Sequence, residues 1–256
     1  MSTKVKLSQL MLWAGVVFLA LIVGEQFLTT PANPKFEGIP LSNWLEDLDN
    51  VDSEKIGRAT KAIKSIGKDS IPYLLKMIGT RTGLLTKYCE HYGLIGIRNG
   101  AKPDDAQQMR FKAIQGFAVL GEKGASADDA LGKLLTSKVA SRDAEFAGEI
   151  AAALAKIGSS GKRVLLFGLT NSTLHIRKAC AYYLADSEQF DGDVFRAFMS
   201  ERRSADSEIR YYSILYLDQD FLDCSLRASL LEEFLSDKDP FNRTQAMKRI
   251  FLLNCN

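Results

Sequence analysis

The chain has 256 residues, 46% hydrophobic and 25% charged, ordinary globular values that exclude a disordered chain, a collagen-like fibre and a multi-span membrane protein. Lys and Arg number 33 against 31 Asp and Glu. Lys4 and Lys6 are the only charges ahead of Glu25, so the rest balances at 31 against 31 and carries no global footprint for nucleic acid.

Leu7 to Val23 holds no charge, and Leu10, Leu12, Trp13, Val16, Val17, Phe18, Leu19, Leu21 and Ile22 make it continuously apolar behind the basic pair. This predicts a transmembrane anchor over residues 7–24, with residues 1–6 cytoplasmic and the rest of the chain on the extracytoplasmic, periplasmic side. A span needs about 20 apolar residues, down to roughly 17, whereas a cleaved signal has a core of roughly 7 to 15. Ile22-Val23-Gly24 puts a bulky residue at the −3 position of a cleavage site, and Thr30-Pro31-Ala32 puts a proline inside one. An uncleaved single-pass anchor is therefore favoured, with secretion after signal cleavage as the alternative. Residues 25–41 contain Pro31, Pro34 and Pro40 and read as a semi-extended tether.

A short helix over residues 42–49 places Leu41, Trp44, Leu45 and Leu48 on one face. It would either lie on a membrane surface or cap the domain that follows. Glu46, Asp47 and Asp49 without a cation favour the cap.

Residues 42–256 then show internal repetition. Arg58 to Ile78, Phe111 to Leu135 and Gly148 to Leu169 each hold a helix ending in an apolar residue plus glycine, a polar turn and a second apolar helix. Gly67, Gly121 and Gly158 occupy the same place, where glycine can take the left-handed conformation that closes a helix. The later part keeps a different marker: Arg177, Arg210 and Arg243 recur at intervals of 33, each about one turn into a helix. They are expected to bond neighbouring helix ends or acidic turn residues, or alternatively to line a ligand surface. Ser53, Ser126, Ser141, Ser172, Ser207 and Asp239 are candidate N-caps. Small residues (Ala59, Ala62, Ala113, Gly116, Ala152, Ala153, Ala179, Ala181) would let helices approach closely. Five helix pairs and a lone last helix result. The prediction is an all-α fold without strands, an armadillo-like α-solenoid of stacked antiparallel helix pairs behind one transmembrane helix.

The small-residue helix, the Ile-Gly or Leu-Gly stop and the aliphatic second helix resemble HEAT repeats, above all the short bacterial kind named after the phycobilisome lyases. The resemblance covers roughly residues 53–256. Phe36 to Leu45 (FEGIPLSNWL) after an apolar segment also resembles the junction in bacterial envelope-anchored HEAT proteins. The resemblance implies a membrane-anchored scaffold that presents its repeat surface to an envelope protein. The alternative it implies is a lyase-like protein acting on a chromophore or small molecule, although no residue motif carries that activity over.

The spacing of 54 residues from Gly67 to Gly121, against 37 from Gly121 to Gly158, marks an insertion over residues 79–105. Its aromatic and basic residues, Tyr88, His91, Tyr92, Arg98 and Lys102, are candidate partner contacts. Leu84, Leu85, Tyr88, Tyr92 and Ile95 also have helical spacing and could equally be core.

Lys55, Arg58, Lys61, Lys64 and Lys68 form a stripe that reads as a solvated face or as an anionic-surface contact. Cys89 and His91 lack the further ligands a metal needs and point apart on a helix, so neither a zinc site nor a nucleophile is expected. Cys180 reads as a buried thiol, and Cys224 with Cys255 as unpaired by default. No catalytic residue, cofactor or metal is expected, so the chain is read as a non-enzyme.

Overall fold

The computed structural model describes residues 31–80, 105–186, 191–219 and 222–253. The chain divides into two units, Met1–Asn33 and Pro34–Asn256. Of the first, only residues 31–33 are described, so the predicted anchor of residues 7–24 lies outside the described residues. Among the described residues no helix is long and apolar enough to cross a membrane.

The described residues of the second unit are all-α apart from one small hairpin, which departs from the expectation of no strands. Strands β1 (Lys35–Phe36) and β2 (Ile39–Pro40) pair antiparallel within the stretch read as a tether. Glu37 and Gly38 join them with φ of 51° and 79°. Two positive φ values are what a two-residue turn needs to match the strands' twist.

Helix α1 (Leu41–Asp47) follows directly, then α2 (Ser53–Ile66), α3 (Ile71–Ile78), α4 (Asp105–Leu120), α5 (Asp128–Leu135) and α6 (Ala144–Lys156). The remaining helices are α7 (Ser159–Gly168), α8 (Leu174–Ala185), α9 (Gly192–Glu201), α10 (Ser207–Leu217), α11 (Cys224–Glu232) and α12 (Pro240–Leu252). Short 3₁₀ turns at Gly67–Ser70 and Gly121–Ala127 join α2 to α3 and α4 to α5.

Half of these twelve described helices start on aspartate. Asp52, Asp143, Asp191, Asp206, Asp223 and Asp239 each accept a hydrogen bond from a backbone N–H of the first turn, which satisfies a donor that has no partner within the helix. This corrects the expectation of serine caps. Ser53 and Ser207 sit one residue inside their helices, Ser126 lies in a 3₁₀ turn, and Ser141 and Ser172 precede the caps. Asp239, with Pro240 behind it, is the cap that was expected.

The three glycine stops all have positive φ: 60° at Gly67, 53° at Gly121 and 76° at Gly158. At Gly67 and Gly158 ψ is −130° and −145°, outside the αL well and in a region essentially reserved for glycine. The Glu122 carboxylate lies over Gly158 where a Cβ would stand, and accepts a hydrogen bond from the Ser159 N–H at 3.0 Å.

Two layers result. Helices α2, α4, α6, α8, α10 and α12 each contact the next of that set, and α3, α5, α7, α9 and α11 each pack against the long helix that follows them. Ala59, Ala62, Ala113, Ala153 and Ala181 are fully buried at the close approaches. Helix α1 inserts Leu41, Trp44 and Leu45 into the same core, where Leu45 and Leu74 close on Gly116. Farther along, Phe198 stacks on Tyr216 with centroids 4.8 Å apart, and the Tyr216 hydroxyl donates to the Asp191 carbonyl at 3.2 Å.

Candidate functional site

Glu145, Gly148, Glu149 and Ala152 share one face of α6 at i, i+3, i+4 and i+7. Gly148 and Ala152 carry no side chain beyond Cβ, so space opens above them. An open groove of about 760 Å³ occupies it, walled by Phe111 and Ile114 of α4 and by Tyr183 of α8. Phe111 is half exposed.

One edge of the groove is fixed by charge. Arg110 donates from Nε to the Glu149 carboxylate and from Nη1 to the Thr80 carbonyl at 2.9 Å, and its guanidinium lies 5.8 Å from the Phe146 ring centroid. A single side chain thus ties the end of the first helix pair to α4 and α6. Burial holds the Glu149 carboxyl above the ordinary carboxylate value, although the Arg110 bond pulls it the other way.

Beyond Tyr183 the aromatic surface continues. Tyr183 meets Tyr182 edge-on at 4.9 Å, Tyr182 meets Tyr212 at 5.7 Å, Tyr212 meets Tyr211 at 6.0 Å, and Tyr211 meets Phe241 at 5.1 Å. The run crosses α8, α10 and α12. Tyr182 and Phe241 are about half exposed, whereas Tyr212 is buried.

Tyr212 is anchored from beneath, its hydroxyl donating to Glu208 at 2.7 Å. Lys178 stands 2.7 Å from the same carboxylate and 3.2 Å from Asp206. The Lys178 hydrogen bond, helped by Tyr212, holds Glu208 below its ordinary value, and burial beside that carboxylate raises the Tyr212 phenol. The tyrosine therefore stays protonated and, itself buried, supports the half-exposed ring of Tyr182.

Only the lysine and arginine stripe among the predicted site residues is described. Tyr88, His91, Tyr92, Arg98 and Lys102 lie outside the described residues, as do Leu10, Leu12, Trp13, Val16, Val17, Phe18, Leu19, Leu21 and Ile22. Lys55, Arg58, Lys61, Lys64 and Lys68 are all exposed along α2 and the turn after it, and none forms an ion pair with another described residue.

The three spaced arginines differ from one another. Arg210 chelates Asp237 and donates to the Ser204 and Ala205 carbonyls. Arg243 donates to the Asp237 and Lys238 carbonyls. The buried Arg177 Nε has no hydrogen-bond partner among the described residues, and the residue corresponding to Asp237 is Ser204.

Cys180 is free and buried, its thiol pushed by burial up to about 12, so it offers no thiolate. Cys224 is disulfide-bonded, which corrects the default of no disulfide. Among the described residues no three His, Cys, Asp or Glu side chains are placed to hold a metal.

Phe111, Tyr182 and Phe241 were missed by sequence reasoning. The available signal was the pair of Tyr-Tyr doublets, 182–183 and 211–212, in successive matching helices. Flat apolar rings with polar rims suit contact with a polypeptide or a planar group.

The chain matches no family model and no curated protein. Among solved structures it is similar to crystal structures of engineered proteins. One is 18% identical with a TM-score of 0.43, covering 83% of this chain and 96% of that one. A second is 14% identical with a TM-score of 0.40, covering 84% and 99%. A third is 19% identical with a TM-score of 0.36, covering 83% and 57%.

Proposed function

We propose that this is a membrane-anchored α-solenoid of HEAT type that binds an envelope protein along its aromatic face. The observation that carries the reading is the unbroken run of ring contacts from Tyr183 to Phe241, exposed at Tyr182 and Phe241 and crossing three successive long helices. Exposed aromatic rings held rigidly by packing are typical anchors of protein interfaces. The serial contacts of the long helices support the solenoid assignment, since each repeat of a solenoid touches its neighbours. Placement of the folded unit outside the cytoplasm is supported by the disulfide at Cys224, because disulfides persist in oxidising compartments.

The test is photo-cross-linking in cells, with a benzophenone amino acid placed at Tyr182, at Phe111 and, as a control, at Lys61. The expected result is one protein adduct shared by positions 182 and 111 and absent from 61, with binding weakened about tenfold by Tyr182→Ala. Adducts that are the same at all three positions, or missing at 182 and 111, would remove the reading.

The groove beside Phe111 favours a second reading, a planar small molecule bound there. Such a ligand would protect Phe111 and Tyr183 from modification but leave Tyr211 and Phe241 reactive.

A further inference from the structure

Helix α12 repeats the part of α10 that receives a neighbouring helix, yet nothing described covers it. A shift of 33 residues maps Arg210 onto Arg243 and Ile214 onto Met247. Ile214 is fully buried in a cluster with Phe234 and Ala246, whereas Met247 is 60% exposed. Phe251 and Leu252 are 88% and 77% exposed, and with Met247 and Lys248 they share one face of the helix.

The arginines repeat each other in the same way. Nη1 of Arg210 donates to the carbonyls six and five residues before it, and Nη1 of Arg243 does the same. The remaining nitrogens of Arg210 grip Asp237, 2.7 Å from Nε and 2.8 Å from Nη2. Those of Arg243 have no partner among the described residues.

We infer that α12 is a docking surface for an amphipathic helix of a partner protein, entered through an Asp or Glu that Arg243 chelates as Arg210 chelates Asp237. Met247 and Phe251 take up the apolar face of the incoming helix. Charge decides against the α12 of a second copy as the occupant. Pro240–Leu252 contains no acidic residue, and although Arg249 is paired with Asp218 at 3.0 Å, two α12 faces packed together would still oppose the charges of Arg243 and Lys248. Helix α12 also carries Phe241, the last ring of the aromatic run, but Arg243, Met247 and Phe251 are not members of that run, so the inference does not depend on the function proposed for it.

The experiment displays a library of 20-residue helical peptides on phage and selects on the purified full chain. Selected peptides are expected to share an Asp or Glu one turn ahead of apolar residues at helical spacing. Their binding should weaken about tenfold with Arg243→Gln and about 100-fold with Met247→Ser combined with Phe251→Ser. Arg243→Glu should shift selection toward Lys or Arg at the acidic position, a reversal that loss of folding cannot produce. Because Met247 and Phe251 face solvent, the double variant keeps its helical circular dichroism and melting temperature.

The inference falls if no helix is enriched, or if enriched helices bind the variants as tightly as the parent. A dimer of the unliganded chain that the double variant abolishes would name a second copy as the occupant and overturn it too. Enrichment mapped instead to Tyr182 and Phe111 would sink the α12 surface while leaving the aromatic-face reading intact.

Discussion

Arg210 closes on Asp237 with two nitrogens, across 27 residues of sequence, and the two side chains are only 10% and 5% exposed. Nη1 of the same guanidinium ties down the turn that leads into its own helix. One side chain therefore fixes both the entry to α10 and the position of the turn before α12.

Removing the acid leaves a buried guanidinium with half its partners. Asp237→Asn is expected to lower the unfolding free energy by about 3 kcal/mol, read from the denaturation midpoint at constant slope. Arg210→Lys should lose most of the same amount, since an ammonium cannot repeat the two-pronged contact. A change below about 0.5 kcal/mol in both variants would contradict the geometry.

Acid should weaken the fold through the same group. The Arg210 hydrogen bond holds Asp237 below its ordinary value of 3.8, and the Lys178 hydrogen bond holds Glu208 below 4.5. A carboxylate depressed on folding contributes stability above its unfolded value and loses it as pH falls through its folded value. The melting temperature should therefore be flat near neutrality and drop below pH 4.5. Asp237→Asn should make that acid limb shallower, and an unchanged limb would count against the assignment.

Gly158→Ala is expected to cost about 2 kcal/mol, because alanine at φ 76° and ψ −145° is strained and its methyl meets the Glu122 carboxylate. Gly148→Ala has open space around its Cβ and serves as the control. Substituting one glycine should unfold the protein at lower denaturant, and substituting the other should leave it unchanged or slightly stabilised.

The sequence holds four cysteines, of which Cys180 is free and Cys224 is bonded. Alkylation in denaturant without reductant should label two of them, and all four after reduction. Cys180 should be among the labelled pair and should resist labelling in the folded protein. Recovery of Cys224 in the labelled pair would rule out its bond.

Leu45 is fully buried against Gly116 and Leu74, although it belongs to the short helix ahead of the longer ones. Leu45→Ala should therefore cost about 3 kcal/mol, as a core deletion does. A loss below 1 kcal/mol would make α1 a peripheral appendage.

Legibility in the sequence followed the range of the forces involved. The glycine stops and the buried alanines were readable because backbone conformation and close packing leave one or two acceptable residue types. The aspartate caps were hidden behind serines one place along, since both residue types can cap and the choice depends on where the helix axis begins. The groove was hidden for a different reason. Gly148, Ala152, Phe111 and Tyr183 come from three helices, and their meeting depends on the register between helices, which no local pattern encodes. The strained turn at Glu37-Gly38 was overlooked because prolines on either side suggested an extended chain.

The serial packing of the helices also bears on how the chain folds. Apart from α1, which reaches α4, the described helices pack mainly on helices one or two places away in the chain, so most contacts can form once a few tens of residues have come together. Low sequence separation of contacts goes with fast folding, in microseconds to milliseconds for helical domains. Folding can therefore start around a single helix pair, such as α6 and α7, and spread outward during synthesis without waiting for the C-terminal residues.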